Sequence, residues 1–245
     1  MSALALRVIA CLTMLIDHIG YCTNNEICRI IGRIAFPIFV FLIVNGFRHT
    51  SNKGKYALRL TIFALISQIP FSLFSYHRWD VMNGNVMFTL LLGLLCVWSA
   101  DELRKNQILR WFCWLPAAMV CILYHFGVLQ SDYGARGILL ALVFYFLDKP
   151  TWPYRILTVG GVLISTHYEY LLSLALRLVR GNFTLPWMSH WSALQTFGLF
   201  ALVCIFLYNG KKGKYPQNPI LSKVLQYGFY GFYPLHMLLL WLIMR

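Results

Sequence analysis

The sequence predicts an all-α integral membrane protein: one transmembrane helical domain over residues 1–245, a compact bundle of about nine or ten spans with its N-terminus in the cytoplasm. Three observations predict it. Hydrophobic residues make up 59% of the chain and charged residues only 12%, against roughly 25% charged in a soluble domain. Nine apolar runs divide the chain, each close to the roughly 20 residues that one bilayer crossing needs. The loops between them alternate between rich and poor in Lys and Arg, the pattern that marks cytoplasmic loops.

The runs are Leu4–Cys22, Ile27–Phe47, Tyr56–Phe74, Val86–Ala100, Ile108–Phe126, Tyr133–Leu147, Ile156–Leu178, Ser192–Tyr208 and Val224–Met244. Met1 to Leu6 has no charged leader and no small-residue cleavage site, and the first run carries Asp17-His18, so it reads as a retained span. The seventh run is long and holds His167 and Glu169; it fits a span plus a half-helix, which leaves nine or ten helices both consistent. Loops Arg48–Lys55, Asp101–Lys105, Asp148–Arg155 and Lys211–Lys214 are basic and therefore cytoplasmic. Thr23–Glu26, Tyr76–Asn85 and Gln130–Asp132 lie on the other side, and Arg177–His190 is the exception to the pattern. The net charge of +13 thus follows from topology and gives no reason to expect a nucleic-acid partner.

Ionisable residues inside a span are expensive, so they usually face the bundle interior and mark a site. Counting about 1.5 Å per residue, His18 lies about 20 Å along the first run. Arg33 sits near the start of the second run and His236 past the middle of the last, while Asn85, Asp132 and Tyr133 precede or begin spans on the same side. Neighbours on a helix point about 100° apart, so Asp17 is expected to pair with Arg33 rather than with His18. A histidine among such groups suits general-base chemistry. The same residues could instead form a buried network that only pins helices. A second cluster, Arg48, His49, Lys53, Lys55 and Arg59, has the composition of an anion site for a phosphorylated donor, as well as that of an ordinary topology signal.

Five of the seven cysteines lie inside apolar runs, and none shows zinc-ligand spacing. Cys22 and Cys28 flank one short loop, where a disulfide or two free thiols both fit. Gly134, Gly137, Gly160 and Gly161 allow close helix contact. No strand precedes Gly134-Ala-Arg-Gly137, so it is not a nucleotide fingerprint.

Several segments together resemble the TraX family of membrane proteins. They are Met14-Leu-Ile-Asp17-His18-Ile-Gly20, Gly32-Arg33-Ile-Ala-Phe-Pro37-Ile-Phe39, Gly46-Phe-Arg48-His49-Thr50, Asn83-Gly84-Asn85-Val-Met-Phe88, Asp132-Tyr133-Gly134-Ala-Arg-Gly137-Ile-Leu-Leu140 and Phe229-Tyr230-Gly-Phe232-Tyr233-Pro-Leu-His236. They occur in order from the first span to the last. The resemblance implies a multi-pass protein of the bacterial inner membrane, surrounded by lipid and related to acyltransferases that use acetyl-CoA, with no metal. It places the catalytic role on His18. Asp17, Arg33, Asn85 and His236 would complete the catalytic site, with Arg33 or Asn85 stabilising an oxyanion. Arg48, His49, Lys55 and Arg59 would hold the phosphates of the acetyl-CoA donor. The acceptor is an amine or hydroxyl of an envelope component, such as a pilin N-terminus or a glycan. Two other readings stand beside this one. One is a transporter with His18, Asp17 and His236 as a proton relay, which calls for paired broken helices in inverted repeats. The other is a non-catalytic scaffold for envelope assembly.

Overall fold

A computed structural model describes residues 1–147 and 149–243, apart from the side chains of Trp191, Ser192 and Pro219. Asp148, which opens one basic loop, and Met244, which closes the ninth apolar run, lie outside the described residues. Every regular element among the described residues is a helix, and no strand is among them. Four segments are long and apolar enough to cross a membrane: Ala3–Thr23, Glu26–His49, Lys53–Tyr76 and Val86–Leu103. The other apolar runs form helices that are shorter, broken or more polar, so fewer segments meet that measure than the nine or ten spans expected.

Local chemistry sets the helix ends. Ser2 accepts from the Ala5 N–H at 3.2 Å and starts α1 (Ala3–Thr23); Asn24 ends it in the left-handed conformation, at φ 51°. Asn25 caps α2 (Glu26–Gly32) through the Cys28 N–H at 3.1 Å. The second run then breaks, and α3 covers Ala35–His49. Pro37 in its first turn cannot donate to the Arg33 carbonyl, so a continuous helix stops there. Asn52 starts α4 (Lys53–Tyr76), and His77 closes it at φ 52°. Asn85 starts α5 (Val86–Leu103).

The remaining helices are α6 (Leu115–His125), α7 (Gly134–Leu147), α8 (Trp152–Thr166), α9 (Tyr168–Val179), α10 (His190–Gln195), α11 (Ala201–Phe206) and α12 (Pro219–Ile243). The seventh run does break, at His167 between α8 and α9. The hydroxyls of Ser165 and Thr166 both bond back to the Val162 carbonyl just before it, a local bond that bends helices.

α3 runs through the centre, burying Ile38, Phe41 and Val44 among Leu6, Leu60, Leu94 and Phe144. The outside is equally apolar. Leu58, Ile62, Leu65 and Ile69 make an exposed stripe on α4, at the spacing of one helix face, as a surface facing lipid does. Small residues set the close approaches. A Cβ on Gly137 would stand 2.3 Å from Thr89 Cγ2, and one on Gly161 2.9 Å from Val143. Gly160 meets nothing within 4 Å, so it makes no close helix contact, and Gly134 serves its φ of 51° instead. Cys22 and Cys28 are free thiols, as are the other five cysteines.

Candidate functional site

A Cβ on Gly32 would lie 2.2 Å from Asp17 Cβ, so α2 reaches α1 only because that position is glycine. The close crossing brings two guanidiniums to one carboxylate. Asp17 Oδ2 accepts from Arg29 Nη1 at 2.9 Å and from Arg33 Nη2. The expected Asp17–Arg33 pair is present, and Arg29 joins it. Arg33 is 2% exposed; it also donates to the Arg29 carbonyl at 3.2 Å and to the Tyr133 hydroxyl at 3.3 Å. Tyr133 stacks on Phe36 with the ring centroids 3.5 Å apart. Asp17 Oδ1 is buried with no partner.

His18, one residue on, faces α12. Its Nδ1 lies 2.7 Å from His236 Nε2, and His236 Nδ1 lies 2.7 Å from the Phe232 carbonyl. The carbonyl can only accept, which fixes the tautomers when both rings are neutral. His236 donates through Nδ1 and accepts at Nε2; His18 donates through Nδ1. The lone pair of His18 then sits on Nε2, which has no hydrogen-bond partner among the described residues. This is the arrangement of an oriented base.

That imidazole lines a cavity of about 340 Å³. One end holds His18 with Asp17, Arg29, Arg33, Asp132 and Tyr133; the other holds Arg7, Tyr56, Gln226 and Phe229. Arg7 and His18 are eleven residues apart on α1, or about 16 Å, so the cavity is a shaft along that helix. Phe71, Phe74 and Tyr233 line it. The Tyr233 hydroxyl, on a residue 4% exposed, is buried without a partner.

The loop between α4 and α5 supports the His18 end. Asp80 accepts from the Asn83 side chain at 2.9 Å and from the N–H groups of Met82 and Asn83 at 2.8 and 3.1 Å. These bonds, the Asn83 amide foremost, hold its carboxyl below the usual range. Gly84 donates to the Gln130 carbonyl and accepts from the Asp132 N–H, both at 3.0 Å, which fixes the segment carrying Asp132 and Tyr133. Asp132 opens onto the cavity.

Asn85 has a different role from the expected oxyanion donor. It is fully buried; its amide donates to the Ala64 carbonyl at 2.8 Å and to Gln68 Oε1 at 2.9 Å, and its Oδ1 caps Met87 N–H at 2.9 Å. It neither lines the cavity nor has a donor left for chemistry. Asn85→Ala should cost about 2 kcal/mol through the lost cap and the stranded Gln68, read as a lower melting temperature in detergent. An unchanged melting temperature would mean those bonds carry nothing.

The basic cluster also disperses. Arg48 donates to the Phe144 and Tyr145 carbonyls at 3.0 and 2.7 Å, closing the end of α7. His49 bonds the Asn45 carbonyl at 2.8 Å, Lys53 pairs with Asp101, and Lys55 is exposed. None of Arg48, His49, Lys55 and Arg59 lines the cavity. Only Arg59 touches its wall, over the Tyr56 ring at 5.6 Å. Sequence reasoning passed over Arg7 and Arg29, although each is a charge inside or at the edge of an apolar run, and Arg29 precedes Arg33 by one helical turn.

Fold and site together define a polytopic α-helical membrane protein with a polar-ended internal shaft. The chain belongs to the TraX protein family, whose match covers residues 2–244. A relative in Dichelobacter nodosus, named a probable fimbrial assembly protein FimC of serogroup H1, is 28% identical over 98% of this chain and 94% of its own length. An uncharacterised protein of Rickettsia prowazekii (strain Madrid E) is 24% identical over 73% of this chain and 69% of its own. No solved structure gives a significant match to the chain.

Proposed function

We propose that this protein is a membrane-embedded acyltransferase that moves an acetyl group from acetyl-CoA to an amine or hydroxyl of an envelope component. The observation that supports it best is the His18 Nε2, without a partner among the described residues, at one end of a cavity that runs about 16 Å along α1. Nε2 takes the proton as the acceptor nitrogen or oxygen attacks the thioester carbonyl. The C–S bond then breaks, and the proton passes from His18 to the departing thiolate. Arg29 and Arg33 on the same wall set positive charge beside the developing oxyanion, the kind of preorganised field that lowers such barriers. Asp17 Oδ1 and the Tyr233 hydroxyl are wall groups that a bound donor or acceptor would satisfy.

The N-terminus lies in the cytoplasm and the donor enters from that side of a bacterial inner membrane, as the basic loops imply. The fimbrial assembly name of the Dichelobacter relative favours a surface-fibre subunit as acceptor. The same name supports a second reading, an assembly protein without chemistry. Purified protein separates them. Acetyl-CoA at a hundred times its Kd should stabilise the fold by about 2.7 kcal/mol, seen as a raised melting temperature, and labelled acetyl should appear on a peptide amine or a glycan. A flat melting curve with no label transferred would remove the acyltransferase reading.

A further inference from the structure

The stretch from Tyr168 to His190 takes no part in the shaft, and it holds Arg177 and Arg180, the two charges that break the alternation of the loops. It leaves the bundle and returns to it at the same end. At its start Glu169 pairs with Arg136, in the first turn of α7 and one turn from Tyr133, while His167 Nε2 lies 3.0 Å from Thr196 Oγ1. At its finish His190 Nε2 lies 3.5 Å from Oε1 of Glu26, which opens the helix that carries Arg29. Both anchors stand at the His18 end of the shaft, so the stretch between them does not cross the bilayer. α9 itself has 12 residues; at 1.5 Å each it measures about 18 Å, well short of a hydrocarbon core of about 30 Å.

The residues of α9 sort by face. Glu169, Ser173, Arg177 and Arg180 follow one another at intervals of four, four and three, which is one side of a helix. Leu171, Leu172, Leu176, Leu178 and Val179 occupy the rest of the circumference, and all five are exposed. A spanning helix turns its polar side into the bundle, but here Glu169 and Arg180 are exposed as well. An amphipathic helix with neither side covered by protein suits the boundary of a bilayer, apolar side to the acyl chains and polar side to the headgroups. Phe183, Leu185 and Trp187, which follow, are also exposed, and Trp favours that boundary. Glu169 is the one acidic residue of the stretch and is spent on Arg136. Arg177 and Arg180 have no carboxylate partner among the described residues, and their charge complements that of lipid phosphates.

We propose that α9 is a docking surface for the phospholipid bilayer: it lies along the membrane boundary at the His18 end of the shaft, its leucines among the acyl chains and Arg177 and Arg180 at lipid phosphates. This stands whether or not the protein is an acyltransferase. The test uses the full protein in phosphatidylcholine nanodiscs and an uncharged polyethylene-glycol maleimide, with the adducts located by peptide mass spectrometry. Leu172→Cys and Ser173→Cys share one level of the helix axis but differ in face, and so do Val179→Cys and Arg180→Cys. In each pair the apolar-face cysteine should react about tenfold more slowly or less, because the reactive thiolate does not form in lipid. All four positions lie on the surface of the fold, so the changes leave no gap in the core, and Lys105→Cys should react fast throughout as the control. If Leu172→Cys and Ser173→Cys are both slow, the helix spans, and the proposal falls. If both are fast, the leucines face water and are open to a protein partner, and the proposal falls as well. Phosphatidylglycerol in the nanodisc should slow Val179→Cys about twofold or more relative to the control, and adding Arg177→Gln and Arg180→Gln should remove that effect. Equal rates in the two lipids would overturn the role given to the arginines.

Discussion

His18→Ala should abolish acetyl transfer, by about a thousandfold or more, while the helices stay folded. The ring is half-buried on the wall of an existing cavity, so its loss enlarges a space rather than opening a void in close-packed core. Circular dichroism and the melting temperature check folding; label transfer checks chemistry. The rate should also fall as acid protonates Nε2. His236 acts through His18, and that dependence can be measured. His236→Ala removes the acceptor for His18 Nδ1–H and frees the ring to turn, so kcat should drop with KM little changed. His236→Gln offers an amide oxygen near the same place and should recover part of the rate. An active His18→Ala protein would remove the assignment, whatever His236 does.

Asp17→Ala should cause the largest loss of stability, about 3–5 kcal/mol, the usual result of removing one partner from a buried ion pair. Two guanidiniums converge on that carboxylate and one of them is 2% exposed. Without Asp17 they repel each other in a setting with few other counter-charges. Unfolding of the purified protein in SDS-containing mixed micelles gives the number. Replacing Asp17 and Arg33 together by apolar residues of similar volume should cost less than Asp17→Ala alone, because no orphaned charge at position 33 remains. If the single change were as mild as a surface substitution, the network would not be what joins α2 to α1.

The sequence showed the class of the fold clearly, because the bilayer leaves a compositional mark that 245 residues of mean hydropathy +0.64 cannot hide. It also showed that Asp17 and Arg33 would meet, since both are charges at a similar depth in successive runs. It did not show which of the 21 Lys and Arg residues face inward. Positive loops and anion sites have the same composition, so Arg48 and His49 looked like a phosphate cradle until their side chains proved to be spent on helix carbonyls. Arg7 went unremarked because it stands early in an apolar run, where a single charge resembles a boundary marker. Asn85 was legible in a way that was not used: an Asn immediately before Val86 is a helix cap by position. The break before α3 was likewise written in Pro37. The meeting of His18 with His236, 218 residues away, depends on how α12 packs against α1, and no local pattern encodes that.

That long separation has a consequence for biogenesis. The imidazole relay draws one ring from α1 and the other from α12, and the start of α1 is itself tied to residues 207–212 through Met1, Ala3 and Leu4. A nascent chain therefore carries His18 without anything to orient it. On the acyltransferase reading, the oriented proton acceptor comes into being only when α12 packs against α1, so a chain stalled before α12 would remain inert in the membrane.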